Sequence, residues 1–178
     1  MRRGADHLRW PALAATAGRL IAPDEAPIAA VLAFDGWDTH ANQGGASGAL
    51  AVRLKALDDS LAALKEALGS AYANTMIVVA TEFGRTVRIN GTGGTDHGTG
   101  GTAFALGGAM NGGRMLGDWP GLGAGALHEG RDVAPANDLR SLFAAILREH
   151  WGVDRRDLES RVFPGFANAG GLQGVVKR

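Results

Sequence analysis

Two apolar runs of strand length, Ile28-Ala29-Ala30-Val31-Leu32-Ala33-Phe34 and Thr75-Met76-Ile77-Val78-Val79-Ala80-Thr81, flank a segment in which leucine recurs at 50, 54, 57, 61, 64 and 68. This succession constrains the fold more than any other feature of the chain. The leucines alternate steps of four and three, so they line one face of a helix of about six turns. Ser47 is the expected N-cap and Gly69 the expected residue beyond the last turn. An uninterrupted apolar run is how a strand covered on both faces reads. A strand, a covering helix and a second strand make a βαβ unit, whose right-handed crossover leaves the two strands parallel. Such a leucine stripe also suits a coiled-coil seam, but about three heptads between strand-like runs favour packing on a sheet. The expected fold class is therefore α/β: a mainly parallel sheet flanked by helices.

The remaining segments fit that frame. Residues 8–21 place Leu8, Ala12, Ala15 and Leu20 on a short helix with Pro11 in its first turn, where proline is tolerated. Thr102-Ala103-Phe104-Ala105-Leu106 reads as a third strand and Arg114-Met115-Leu116 as a short one. Asn137 or Asp138 then caps a helix that carries Leu139, Leu142, Phe143, Ile146 and Leu147 and ends near Gly152. The tail from Val162, rich in Gly and Pro, is expected over the surface. No internal repeat and no domain boundary is visible, and 178 residues fit a single domain.

Composition removes several functions. Eighteen Lys and Arg balance eighteen Asp and Glu, so no net field draws the chain to nucleic acid or to an anionic membrane. No apolar run approaches the roughly 18 residues of a membrane span. The absence of cysteine excludes disulfides, thiolate nucleophiles and iron–sulfur clusters. Arg2-Arg3 has the beginning of a twin-arginine signal, but Asp6, Arg9 and Pro11 interrupt the stretch that would be its apolar region, so the chain carries no convincing export signal and otherwise reads as cytoplasmic. Glycine numbers 28, about twice the usual share of roughly 7%. Eleven of these lie between Gly91 and Gly117, which suits tight loops around a ligand or, alternatively, a mobile low-complexity loop.

Three clusters carry chemistry: Asp35-Gly36-Trp37-Asp38-Thr39-His40, Thr81-Glu82-Phe83-Gly84-Arg85, and Gly94-Thr95-Asp96-His97-Gly98. The first two come directly after apolar runs, and in parallel sheets ligands bind beyond the carboxyl ends of the strands. Carboxylate oxygen and imidazole nitrogen are the ligands a divalent ion takes when thiolate is absent. Asp38, His40, Glu82, Asp96 and His97 supply enough of them, although any one such pair could be a turn former beside a solvated imidazole. Arg85 could pair with Glu82 or grip an anionic oxygen in bidentate fashion. Gly98 to Ala103 has the G-x-G-x-x-A spacing of a dinucleotide fingerprint but leads into a strand, which excludes it. Ser47 lacks the strand and second glycine of a nucleophile elbow. His7, His128 and His150 stand alone and read as surface or packing residues.

Gly36-Trp37-Asp38-Thr39-His40, Thr81-Glu82-Phe83-Gly84-Arg85-Thr86, the run from Asn90 to Gly98, Gly107-Gly108, Gly112-Gly113-Arg114 and Trp119-Pro120-Gly121-Leu122 together resemble the bacterial family called domain of unknown function 1501. The resemblance runs in order from about Leu8 to Phe163. That family is regarded as similar to alkaline phosphatases and sulfatases, which implies an alkaline phosphatase-like α/β fold and a metal-dependent hydrolase of phosphate or sulfate esters. Members are usually exported to the periplasm and carry an N-terminal half ahead of the stretch seen here. The resemblance therefore covers a C-terminal part and implies truncation on the N-terminal side. It implies zinc or manganese held by Asp38, His40, Glu82 and His97, with Arg85 on the anionic group of a small ester and Asp96 ligating or orienting His97. Asp96-His97 resembles either the Asp-His-Gly motif of those hydrolases or their later lone histidine. Phe83 stands where the relatives have a ligating histidine, and no residue stands for their nucleophile. The alternative is a noncatalytic ligand-binding or envelope-assembly module, which self-associates or joins the missing half through an exposed strand edge.

Overall fold

Helix α1 (Trp10–Ile21) forms from a run of alanines and leucines with Pro11 in its first turn, and stops where the Ala22 N–H bonds the Gly18 carbonyl at 3.0 Å and Pro23 comes next. The computed structural model describes residues 6–166 and 172–177, which fall into two compact units: residues 6–72 with 88–96, and residues 73–87 with 97–166 and 172–177.

In the first unit α1 packs on helix α2 (Ala49–Leu68). The buried face of α1 is Trp10, Ala14, Ala17 and Gly18, not the expected face of Leu8, Ala12, Ala15 and Leu20. Small residues win because they let two helix backbones approach, with Gly18 against Ala67 and Leu64. The buried row of α2 is likewise Ala56, Ser60, Leu64 and Leu68, at steps of four, while Leu54 is exposed. Only the last two leucines of the stripe are buried, and Leu64 lies against Gly18 of α1. The N-cap of α2 is Gly48, not Ser47, with no side-chain cap; Gly69 ends the helix at φ 55° as expected.

The expected parallel sheet is not formed. Residues 28–34 join no ladder, and Ile28 and Val31 are 85% and 95% exposed. Leu32 and Phe34 are half-buried, and Phe34 and Trp37 stack on Trp10 with ring centroids 4.9 and 5.5 Å away. An apolar run expresses a preference for burial but cannot specify a pairing partner. Among the described residues of this unit, the only bridge is Ala41 with Gly93.

The second unit holds two antiparallel sheets of two strands. Strand β1 (Ile77–Val79) lies within the second expected strand and pairs with β4 (Phe104–Leu106), Ile77 opposite Leu106. Strand β2 (Gly84–Arg85) pairs with β3 (His97–Gly98), Gly84 opposite Gly98 and Arg85 opposite His97. The fold class is thus helices with small antiparallel sheets, and the alkaline phosphatase-like α/β expectation is overturned. Residues 114–116 are not a strand. Helix α3 (Leu139–Trp151) forms as its pattern predicts: Asp138 caps it by accepting from the Arg140 N–H at 2.9 Å, and Gly152 ends it in the left-handed conformation.

Helix α3 buries Ala144, Ala145 and Ile146 and leaves Phe143 partly exposed. Ala145 and Ile146 join Met110 and Val175 in one core; Ala144 joins Leu158 and Phe166 in another. Phe166 lies in the tail that composition assigned to the surface, so this expectation fails where an aromatic side chain interrupts the glycines. Residues 167–171 of the expected tail lie outside the described residues. Among the described residues, no helix is long and apolar enough to cross a membrane.

Candidate metal centre

In the first unit, the segment after the apolar run meets the glycine-rich loop before Asp96. Asn42 N–H donates to the Thr92 carbonyl at 3.0 Å, Gln43 N–H to the Gly93 carbonyl at 2.9 Å, and Thr95 N–H to the Thr39 carbonyl at 3.2 Å. Thr39 and Thr95, both buried, donate their hydroxyls to Oε1 of Gln43, each at 2.7 Å. Asn90 acts as the hub of the loop. Its Oδ1 accepts from the Thr92 and Gly94 N–H groups, and its Nδ2 donates to the His40 carbonyl at 3.0 Å and to Oδ1 of Asp96 at 2.9 Å. Gly94 permits the approach: a Cβ there would stand 2.2 Å from the His40 carbonyl carbon.

These bonds bring Asp38, His40 and Asp96 together. Nε2 of His40 lies 3.0 Å from Oδ1 of Asp38, and Nδ1 lies 3.1 Å from Oδ1 of Asp96; all three side chains are about half exposed. A neutral imidazole carries one N–H and one lone pair, so it cannot donate to both carboxylates. A divalent ion at one ring nitrogen would leave the other free to donate to the remaining carboxylate. Nε2 and the Asp38 carboxylate stand at ion-pair distance, and two ligand atoms at about 2.1 Å from one tetrahedral centre would stand about 3.4 Å apart, so a small outward shift would admit an ion between them. The other face of the ring meets a carboxylate too, as the outer partner of a metal-bound histidine does.

The second unit places Glu82, Arg85 and His97. Glu82 is exposed and Arg85 half-buried. Arg85 and His97 face each other across β2 and β3. The His97 ring stacks on Phe83 with centroids 4.2 Å apart, and the Arg85 guanidinium lies 5.4 Å from the centre of the same ring. Phe83, which the sequence presents as a lost ligand, is thus a platform for the two functional candidates. Asp96, assigned by resemblance to His97, has its carboxylate on His40.

Two residues of this geometry were not singled out from the sequence. Asn90 appears there only as the first residue of a motif, and its hub role had no separate signal. Asp132 is wholly buried, and its Oδ2 accepts from the Thr99 N–H two residues beyond His97. That N–H holds its carboxyl below the usual carboxylate range against the opposing effect of burial.

A family model described as protein of unknown function (DUF1501) matches residues 15–162. The chain belongs to that family. No curated protein and no solved structure matches this DUF1501 chain. The matched span contains Asp38, His40, Glu82, Arg85, Asp96 and His97, together with Phe83, Asn90 and Asp132.

Proposed function

We propose that the chain binds a divalent ion, zinc or manganese, and acts on a phosphate or sulfate ester. The observation that carries this is the His40 ring set between the carboxylates of Asp38 and Asp96. Nε2 of His40 and the Asp38 carboxylate supply the first nitrogen and oxygen ligands, and Asp96 fixes the ring from its other side. Glu82 and His97 are the further donors that the sequence offers. When bound, such an ion polarises an ester oxygen and lowers the pKa of water. Arg85 supplies a planar guanidinium for an anionic oxygen, and Phe83 restrains it. No side chain is assigned as nucleophile, so water is the attacking group. The substrate class rests on the resemblance of the sequence motifs to a family regarded as similar to alkaline phosphatases and sulfatases.

Elemental mass spectrometry of untagged protein tests the ion. Stoichiometric zinc or manganese is expected, with loss in His40→Ala; His97→Ala, measured beside it, tests the ligand set. No metal after incubation with excess ion would overturn the proposal. Arg85→Ala should weaken binding of inorganic phosphate or sulfate, and an unchanged affinity would remove Arg85 from the site.

A second function is favoured by one observation. Residues 28–34 are wholly apolar, and among the described residues their backbone groups make no hydrogen bond, a state that invites strand pairing. The segment is its own complement: antiparallel pairing centred on Val31 sets Ile28 opposite Phe34 and Ala29 opposite Ala33 of a second copy. The noncatalytic alternative is thus assembly with itself. Light scattering should show a dimer that Val31→Lys disperses; a monomer at all concentrations would exclude it.

A further inference from the structure

We infer that Asp132 is the positioning residue for His97 and Arg85, acting through the backbone of Thr99. The inference deepens the proposed function, since it rests on those two side chains being the ones that work. Strands β2 and β3 share only two residue pairs, too few to hold themselves in water. The segment around Asp132 supplies the rest. Thr86 bridges to Asp132, the Val87 N–H donates to the Arg131 carbonyl at 3.1 Å, and the Gly100 N–H donates to the Val133 carbonyl at 2.9 Å. The Asp132 carboxylate closes the circuit by accepting from the Thr99 N–H. Both strands are thereby tied to one short segment: β2 through the residues after Arg85, and β3 through the residues after His97.

The burial of this carboxylate is the sign that it does more than fill space. Asp132 is entirely excluded from solvent. Its Oδ1 faces Nε of Arg131 at 3.2 Å and finds no hydrogen-bond partner among the described residues. A buried carboxylate with one oxygen unsatisfied costs free energy that an apolar side chain would not. Its return is a fixed position for Thr99 N, and with it the register that sets His97 against Phe83. Gly98 is shaped to the same end, because a Cβ there would stand 2.8 Å from the Asp132 Cβ and 2.7 Å from the Arg85 carbonyl carbon. Nothing larger fits between the positioning residue and the strand it positions.

Solution NMR on histidine-labelled protein tests the inference without metal or ester. In the native chain the His97 ring protons should be shifted upfield by the Phe83 ring, and Phe83→Leu should abolish the shift and so assign it. Asp132→Asn keeps an acceptor for the Thr99 N–H and should retain the shift; Asp132→Ala should lose it. An unchanged His97 signal in folded Asp132→Ala would overturn the inference. Amide exchange on the native protein gives an answer even where that variant does not fold: the Thr99 N–H should exchange as slowly as the core of its unit, and free exchange would remove the link. Failure of the metal or anion measurements would leave both NMR readouts standing, so the two ideas fail separately.

Discussion

Oδ1 of Asp96 stands 3.1 Å from Nδ1 of His40, although the two residues are 56 positions apart. The contact settles which nitrogen of the ring is directed at Asp38. An ion bound at Nε2 would gain from it, because a carboxylate on the far nitrogen fixes the ring and raises its basicity. Asp96→Asn preserves the shape while removing the charge. Zinc binding measured by titration calorimetry should weaken by about 10- to 100-fold, the usual effect of losing an outer carboxylate. An unchanged Kd would deny Asp96 this part.

Gly94 links the loop's packing to the same site. A Cβ at this position would stand 2.2 Å from the His40 carbonyl carbon and 2.5 Å from the Ala41 nitrogen, both backbone atoms that cannot swing aside. Gly94→Ala should lower stability by about 1–3 kcal/mol, as overpacking does. The urea midpoint should fall with little change in slope. Gly45→Ala is the control, since nothing lies within 4 Å of a Cβ there, and it should be close to neutral. Equal midpoints for the two variants would show that the loop does not close on His40.

What could be read in the sequence was what local spacing dictates. Helix α3 was legible because Asp138 and Gly152 act within a turn of its ends, and helix α2 because its leucines keep one period. Pairing was not legible: β1 finds its partner 27 residues on, at β4, and residues 28–34 find none among the described residues. The same division holds at the site. Asp38, His40 and Asp96 stood out because carboxylate and imidazole cluster in short motifs. Asp132 did not, because an isolated aspartate in a loop has the signature of a turn former, and only its burial distinguishes it. The stacking role of Phe83 was not legible for a similar reason: a platform depends on what lies across the strand.

Glu149 gives the molecule a titratable fastening. Near the end of α3, its carboxylate accepts from the Gly174, Val175 and Val176 N–H groups at 2.8, 2.7 and 3.0 Å, pinning the segment that delivers Val175 to the core. Burial pushes the carboxyl up, but the three N–H groups and Arg148 outweigh it and leave the pKa below the usual glutamate value of 4.5. A carboxyl depressed in the folded state contributes stability that is fully present above its unfolded pKa. That stability is lost as pH falls through the folded value. Glu149→Gln should therefore be less stable than the native chain at pH 7, by about 1–3 kcal/mol for a buried acceptor set facing an amide. The gap should narrow as pH drops below the usual glutamate range, because the native chain loses what the variant never had. Other carboxylates titrate in both proteins and cancel in the difference. Urea unfolding of the pair at pH 7, 5, 4 and 3 measures it directly, and two curves that stayed parallel would mean that the Glu149 charge holds nothing in place.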